Sequence, residues 1–132
     1  MSESDTDSEL DAIREEKRAE LESKGESPGE PIHLNGEAEL DAAVAEHDRL
    51  LVDFHADWCG PCQMMNPTLE AFAAETDVTV AKVDVDENQA LASAYGVRGI
   101  PNLLYFADGE QVQQLTGLQQ RETLDRLVEQ YA

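Results

Sequence analysis

The sequence predicts an α/β fold in which helices cover both faces of a mixed β-sheet. Three observations support this. Segments with helical and with strand patterns alternate along the chain. The run 50–55 (LLVDFH) is nearly all apolar, which is typical of a central strand buried on both faces. Near the carboxy terminus, Asp108-Gly109 separates two strand-like runs and is a hairpin signal, so the sheet also contains antiparallel strands.

The predicted elements follow one another in the order βαβαβαββα. Asn35 is a candidate N-cap for the first helix, and Pro67 should kink the second. The last helix has apolar residues at helical spacing. The predicted strands cover 32–34, 50–55, 78–85, 103–107 and 111–116, and the predicted helices cover about 35–47, 59–75, 88–95 and 120–131.

The first 30 residues differ from the rest of the chain in composition. They contain 6 apolar, 11 acidic and 4 basic residues, whereas 48 of the other 102 residues are apolar. A segment with so few apolar residues cannot offset its conformational entropy by burial. We therefore expect an acidic, disordered or weakly helical extension over 1–30, with a helix-like stretch at 8–24, and a globular domain over 31–132. The expected role of the extension is solubility, and partner recognition is the alternative.

The charge of the chain excludes several classes of partner. With 29 acidic and 9 basic residues, the net charge is −20. Such a surface repels nucleic acids and anionic membranes. The sequence contains no run of 18 or more apolar residues, which a segment that spans a bilayer would need. The amino terminus lacks the pattern of a secretory signal, so the cytoplasm is the expected location. Lysine occurs only at Lys17, Lys24 and Lys82. This acidic, lysine-poor composition indicates a halophilic protein, because high salt would screen the repulsion between its negative charges. An ordinary acidic protein is the alternative.

The two cysteines of the chain, Cys59 and Cys62, lie in the motif WCGPC. Three residues apart at a helix start, they share one face of the first turn and lie within disulfide range. Closing so short a loop stabilises a fold by only about 2 kcal/mol, which favours a bond that is made and broken over a structural crosslink.

The helix start also favours reactivity, because its free N–H groups and dipole stabilise a thiolate. Pro61 is tolerated there because its missing N–H has no helical partner. Cys59, expected to be the more exposed sulfur, should attack, and Cys62 should resolve the mixed disulfide. A zinc half-site or two inert thiols are the alternatives, although zinc needs about four ligands and the chain has no second cysteine pair.

Longer motifs around the cysteines resemble the thioredoxin family. The stretch LLVDFHADWCGPCQMMNPTLEAFA is similar to the active-site strand and helix of that family, and GVRGIPNLLYFADGE is similar to its proline loop and hairpin. The similarity covers about residues 31–132, and the composition resembles that of members from salt-adapted microbes. It implies a thioredoxin fold and a cytosolic dithiol reductant of protein disulfides, which passes through a mixed disulfide.

The resemblance assigns a role to each matching residue. Cys59 matches the nucleophile, Cys62 the resolving thiol, Asp53 the buried carboxylate that transfers a proton, and Lys82 the lysine that tunes Asp53. Burial should raise the pKa of Asp53, and a solvent-facing edge aspartate is the alternative. Ile100-Pro101 matches a cis-proline turn, with an ordinary trans peptide as the alternative. The expected substrate-binding residues are Trp58, Gly60, Pro61, Gly99, Ile100, Pro101 and Gly117, although Trp58 is also consistent with plain packing.

Three residues depart from the family pattern. His55 stands where many members have Trp, so a titratable ring could lie near Asp53, although an ordinary half-buried histidine is the preferred interpretation. Gln63 replaces a frequent basic residue, and Asn102 follows the proline where Thr is commoner. These departures leave the redox potential and the choice of partners open.

The resemblance implies a monomer with no bound cofactor or metal that acts on disulfide-containing client proteins. Its own disulfide is then reduced again by thioredoxin reductase. It leaves open whether the reductase is an NADPH-dependent flavoenzyme or a ferredoxin-linked one. One alternative is an oxidant or isomerase, which the missing secretory signal and the Gly-Pro dipeptide between the cysteines disfavour. Another alternative is a binding module or assembly subunit in which the acidic extension binds the partner.

Overall fold

A computed structural model of the protein describes residues 27–132, and the elements in this range follow the predicted order βαβαβαββα. They are β1 (Ile32–His33), α1 (Gly36–Glu46), β2 (Arg49–His55), α2 (Gly60–Glu75), β3 (Thr79–Asp84), α3 (Gln89–Ala94), β4 (Asn102–Ala107), β5 (Glu110–Thr116) and α4 (Arg121–Gln130). The helix predicted over 8–24 lies outside the described residues.

The five strands form one mixed sheet with the order β1-β3-β2-β4-β5. The central strand, β2, is parallel to β3 and antiparallel to β4. At the edges, β1 pairs in parallel with β3, and β5 pairs antiparallel with β4. Leu50 to Phe54 of β2 are all buried, as their apolar pattern predicts for a strand with neighbours on both sides.

Helices cover both faces of this sheet, which confirms the predicted architecture. Successive residues of β2 point to opposite faces. On one face, Leu50, Val52 and Phe54 pack against α1 and α3, in a core that includes Leu40, Ala43, Leu91 and Ala92. On the other face, Leu51 packs against α2 and α4, in a core that includes Met65, Leu69, Phe72, Leu124 and Leu127. Strand alternation puts Asp53 and His55 on the same face as Leu51, the face that α2 covers.

Two short segments form as their sequences predict. The helix α2 begins one residue after Cys59, which occupies its N-cap, and continues through Pro67 to Glu75. The β4–β5 hairpin turns at Asp108 and Gly109, whose φ angles are 53° and 84°. Two-residue hairpin loops of this kind need positive φ at both positions, and Asp-Gly tolerates them.

The start of α1 differs in detail from the prediction. Asn35 occupies the N-cap position, but its side chain makes no capping hydrogen bond. Instead, the Oδ1 of Asn88 accepts a hydrogen bond from the N–H of Gly36 at 2.8 Å, and the Nδ2 of Asn88 donates to the Oδ1 of Asn35 at 3.3 Å. The cap is therefore supplied by a residue 52 positions away, which local sequence rules do not reveal.

One residue of the extension predicted over 1–30 contacts the globular domain. The hydroxyl of Ser27 donates a hydrogen bond to the carbonyl oxygen of Thr76, at the carboxy-terminal end of α2, over 3.1 Å.

Within residues 27–132, no helix combines the length and the apolar character that crossing a membrane requires.

Candidate active site

Strand pairing collects the predicted functional residues at one end of the sheet. β2 runs antiparallel to β4 with Phe54 opposite Asn102, so the loop after β2 and the loop before β4 meet. β5 ends beside the same loop, and the N–H of Gly117 donates to the carbonyl oxygen of Pro101 at 2.8 Å. The cysteine motif, the proline loop and Gly117 are thereby adjacent, although Cys59 and Gly117 are 58 positions apart along the chain.

Cys59 and Cys62 are joined by a disulfide bond, with their Cα atoms 5.2 Å apart. The sulfur of Cys59, at the N-cap of α2, accepts a hydrogen bond from the backbone N–H of Cys62 at 3.2 Å. Both residues are buried, and Cys59 is slightly more exposed, at 4% against 1%. Because the N–H points at the sulfur and the helix dipole adds positive potential there, this position stabilises a thiolate once the disulfide is reduced.

An apolar environment surrounds the disulfide. Ala56 packs with the two cysteines, and Val85 and Ile100 lie against this cluster. The Ile100-Pro101 peptide bond is cis. This apolar cluster shields the two sulfurs from water.

Trp58 is the largest exposed apolar side chain near the disulfide, with 70% of its surface accessible. Its Nε1 donates to the Oδ2 of Asp86 at 2.9 Å, which fixes the ring while the faces remain free. Gly60 and Gly99 are exposed and Gly117 is partly exposed, and Gly117 has a φ of 90° that favours glycine. Trp58 is thus available for docking and is not part of the packed core.

Asp53 and Lys82 form a buried ion pair beneath α2. They are register partners in the parallel β2–β3 pair, so their side chains point to the same face. Asp53 is completely buried, and the Nζ of Lys82 lies 3.4 Å from its Oδ2. Burial raises the pKa of Asp53 to about 6, and the Lys82 ammonium opposes this rise. Near neutral pH this carboxyl can both accept and release a proton, which a general acid–base needs.

His55 lies at the rim of an open cleft of about 610 Å³ beside this pair, together with Lys82, Asp57 and Gln63. Burial lowers the pKa of His55, and the charge of Lys82 lowers it further, whereas Asp84 and Asp57 raise it. His55 is half-buried, in line with the preferred interpretation from the sequence.

The other two departures from the family pattern make hydrogen bonds at the site. The Nε2 of Gln63 donates to the carbonyl oxygen of Asp57 at 3.1 Å. The buried Asn102 donates to the carbonyl oxygen of Gly99 at 3.3 Å, and its Oδ1 accepts from Gln114 at 3.2 Å. Asn102 therefore ties the proline loop to β5.

Sequence reasoning missed two residues of the site, Asn66 and Asp86. Asn66 accepts a hydrogen bond from Lys82, and Asp86 accepts one from Trp58. Asn66 follows Cys62 by four residues on the same helix, a spacing that places both on one helical face. That spacing was a usable signal. Asp86 was hidden among many acids.

The sequence model of the thioredoxin family, described as Thioredoxin, matches residues 31–130. The chain belongs to the thioredoxin family.

Individual thioredoxins are similar over most of their length. The thioredoxin of Chlamydia caviae is 44% identical over 84 residues, which make up 63% of this chain and 82% of the relative. That of Alicyclobacillus acidocaldarius is 48% identical over 91 residues, or 67% of this chain and 87% of the relative. The solved structure of a single-site mutant of thioredoxin from Halobacterium salinarum NRC-1 is 58% identical and superposes with a TM-score of 0.77, covering 80% of this chain and 93% of that one.

Membership of the thioredoxin family and the Cys59–Cys62 pair together define the chemistry. The protein is a thiol–disulfide oxidoreductase that reduces protein disulfides.

Proposed function

We propose that the protein is a cytosolic dithiol reductant in which Cys59 attacks the client disulfide and Cys62 resolves the intermediate. The observation that carries this assignment is the hydrogen bond from the N–H of Cys62 to the sulfur of Cys59, because it stabilises the thiolate of the attacking residue. Cys62, the more buried of the two, stays covered until a mixed disulfide brings reacting sulfurs together.

The reaction conserves two electrons. The Cys59 thiolate forms a bond to one client sulfur, and the client disulfide breaks to release the other client sulfur as a thiolate. Cys62 then loses its proton and attacks the sulfur of Cys59, which forms the intramolecular disulfide and releases the second client thiolate. The client is reduced, and the cysteine pair is oxidised to the state seen in the structure.

Asp53 is the proposed acceptor of the proton that Cys62 releases. Its complete burial and a pKa of about 6 support this role, because the carboxylate form is available near neutral pH and accepts a proton more readily than a carboxylate at its ordinary pKa of 3.8. Lys82 tunes this property through its charge, 3.4 Å from the carboxylate.

Client proteins are proposed to dock on the edge around the disulfide. The exposed ring of Trp58 supplies apolar contact, and the open backbone of the proline loop offers hydrogen bonds to an extended segment. The proposed docking residues are Trp58, Gly60, Pro61, Gly99, Ile100, Pro101 and Gly117. Thioredoxin reductase is the proposed electron donor to this monomer.

The composition supports two further proposals. Residues 1–30 form an acidic extension that promotes solubility, and residues 31–132 form the catalytic domain, with net charges of −7 and −13 respectively. The second proposal is that the protein works at high salt, where ions screen this repulsion.

Reduction of insulin disulfides with dithiothreitol as the electron source tests the assignment. Cys59→Ser should reduce turnover to that of dithiothreitol alone, because the attacking sulfur is then absent. Cys62→Ser retains the attacking sulfur and should accumulate mixed disulfides with insulin, which mass spectrometry detects. If Cys59→Ser accumulates them instead, the two roles are reversed. If the wild type is no faster than Cys59→Ser, the proposal fails.

A further inference from the structure

The ammonium of Lys82 lies between two oxygen atoms. It is 3.4 Å from the Oδ2 of Asp53, and it donates a hydrogen bond to the Oδ1 of Asn66 in α2. Neither carboxylate oxygen of Asp53 has a hydrogen-bond partner among residues 27–132, although Asp53 is completely buried. The ammonium therefore donates its hydrogen bond to the neutral amide and makes a longer ionic contact with the carboxylate.

A chain of side-chain hydrogen bonds fixes the orientation of Asn66. Its Nδ2 faces the Oε1 of Gln63 at 3.5 Å, and the Nε2 of Gln63 donates to the carbonyl oxygen of Asp57 at 3.1 Å. The Nδ2 of Asn66 is therefore directed towards Gln63, and the Oδ1 of Asn66 is left to face Lys82. The Lys82 ammonium can only donate hydrogen bonds, so it requires an oxygen there. The loop before Cys59 is thus connected to the buried ion pair through two amides.

We propose that Asn66 is a positioning residue that shares the Lys82 ammonium with Asp53 and so prevents Lys82 from making a full hydrogen bond to that carboxylate. A charge-assisted hydrogen bond to a buried carboxylate favours its ionised form strongly. Held partly by Asn66, Lys82 stabilises the carboxylate less, and Asp53 retains its affinity for a proton.

Other charged groups face the same region. Glu30, His33, His55, Asp57 and Glu70 line the cleft with Lys82. Only burial and Lys82 account for the displaced pKa of Asp53. We therefore expect the neutral amide of Asn66 to act on Asp53 through Lys82, and an added carboxylate at position 66 to act in addition by direct repulsion.

Two substitutions of Asn66 should move the titration of Asp53 in opposite directions. Asn66→Leu removes the competing oxygen, so Lys82 moves to Asp53 and the pKa of Asp53 falls by about 0.5–1 pH unit. Asn66→Asp adds a carboxylate that competes for Lys82, so the pKa of Asp53 rises by at least as much. The measurement is the ¹³C carboxyl shift of Asp53 against pH in the oxidised, full-length protein, which requires no turnover.

Three controls isolate the mechanism. In a Lys82→Met background, Asn66→Leu should leave the titration of Asp53 unchanged. Gln63→Leu, at an exposed position that contacts Asn66 but makes no hydrogen bond with Lys82, should give a smaller fall than Asn66→Leu and serves if that variant does not fold. Gln111→Leu on β5 is the matched change away from the site. An unchanged midpoint in Asn66→Leu and Gln63→Leu, or shifts of the same sign in Asn66→Leu and Asn66→Asp, would overturn the inference.

The importance of Asn66 for turnover rests on the proposed proton transfer by Asp53. The low-pH limb of the insulin-reduction rate should shift with the Asp53 midpoint in each variant. If the midpoint moves as expected and the rate profile does not, positioning by Asn66 stands and the role of Asp53 as proton acceptor fails.

Discussion

Arg49, at the start of β2, donates a hydrogen bond from its Nε to the carbonyl oxygen of Tyr131, over 2.6 Å. The same guanidinium donates to the carbonyl oxygen of Asp48 at 2.8 Å and pairs with the carboxylate of Asp108 at 3.0 Å. One side chain thereby connects the central strand, the β4–β5 turn and the end of α4.

Replacing this side chain should loosen α4. We expect Arg49→Met to lower the free energy of unfolding by about 1.5–3 kcal/mol, the range for a hydrogen bond to a charged group. Urea denaturation measures the loss, and Arg126→Met, at an exposed position of α4, is the matched control. Because a carbonyl contact is less sensitive to salt than the exposed pair with Asp108, most of the loss should persist in about 1 M salt. Equal losses in the two variants would contradict this assignment.

The buried carboxyl of Asp53 should destabilise the fold above neutral pH. Its pKa is about 6 in the folded protein against 3.8 as the ordinary value, so the folded state binds the proton more tightly. The stability contributed by this group is fully present below about pH 4 and is lost as the pH rises through 6. Asp53→Asn should therefore gain roughly 2–3 kcal/mol relative to the wild type between pH 4 and pH 8. Denaturation curves at both pH values measure this, with Asp77→Asn as the same change at an exposed position. A gain that is equal at both pH values would refute the expectation.

The imidazole of His55 should respond to its two charged neighbours with opposite signs. The charge of Lys82 lowers the pKa of His55, and the charge of Asp84 raises it. In ¹H–¹⁵N spectra of the ring, the midpoint should lie below 6.5, rise in Lys82→Met and fall in Asp84→Asn. An unchanged midpoint in both variants would show that burial alone governs the pKa of this histidine.

Salt should stabilise the protein. The domain carries a net charge of −13, and screening of its self-repulsion should raise the urea midpoint between about 0.1 M and 2 M KCl. A triple variant, Asp41→Asn, Asp77→Asn and Glu129→Gln, removes three exposed acids and should show a smaller rise. Full stability in dilute buffer would show that salt adaptation is the wrong interpretation of the acidic surface.

Local patterns in the sequence predicted most of the fold. The apolar run of β2, the Asp108-Gly109 turn and the helical spacing of Leu124 and Leu127 each depend on neighbours within a few residues. The roles of Asp53 and Lys82 were predicted from the resemblance to the thioredoxin family, and the interruption of an apolar strand by Asp53 and the scarcity of lysine supported them. The structure brings those two side chains together as register partners.

Contacts between distant segments were not predictable in the same way. Lys82 and Asn66 are 16 residues apart, and Arg49 and Tyr131 are 82 apart. Their geometry depends on how α2 and α4 pack on the sheet, and single-sequence patterns do not determine that packing. The same holds for Asn88, which caps a helix that precedes it by 52 residues.

The hydrogen bond from Cys62 to the sulfur of Cys59 has a consequence for mutational robustness. The donor is a backbone N–H, so replacing the side chain at position 62 leaves it in place, and only proline removes the group itself. The Cys62→Ser variant should thus attack disulfides with nearly native reactivity. A substitution of the side chain at this position can abolish resolution of the mixed disulfide while sparing attack by Cys59. Such a variant would remain covalently bound to the first client that it attacks.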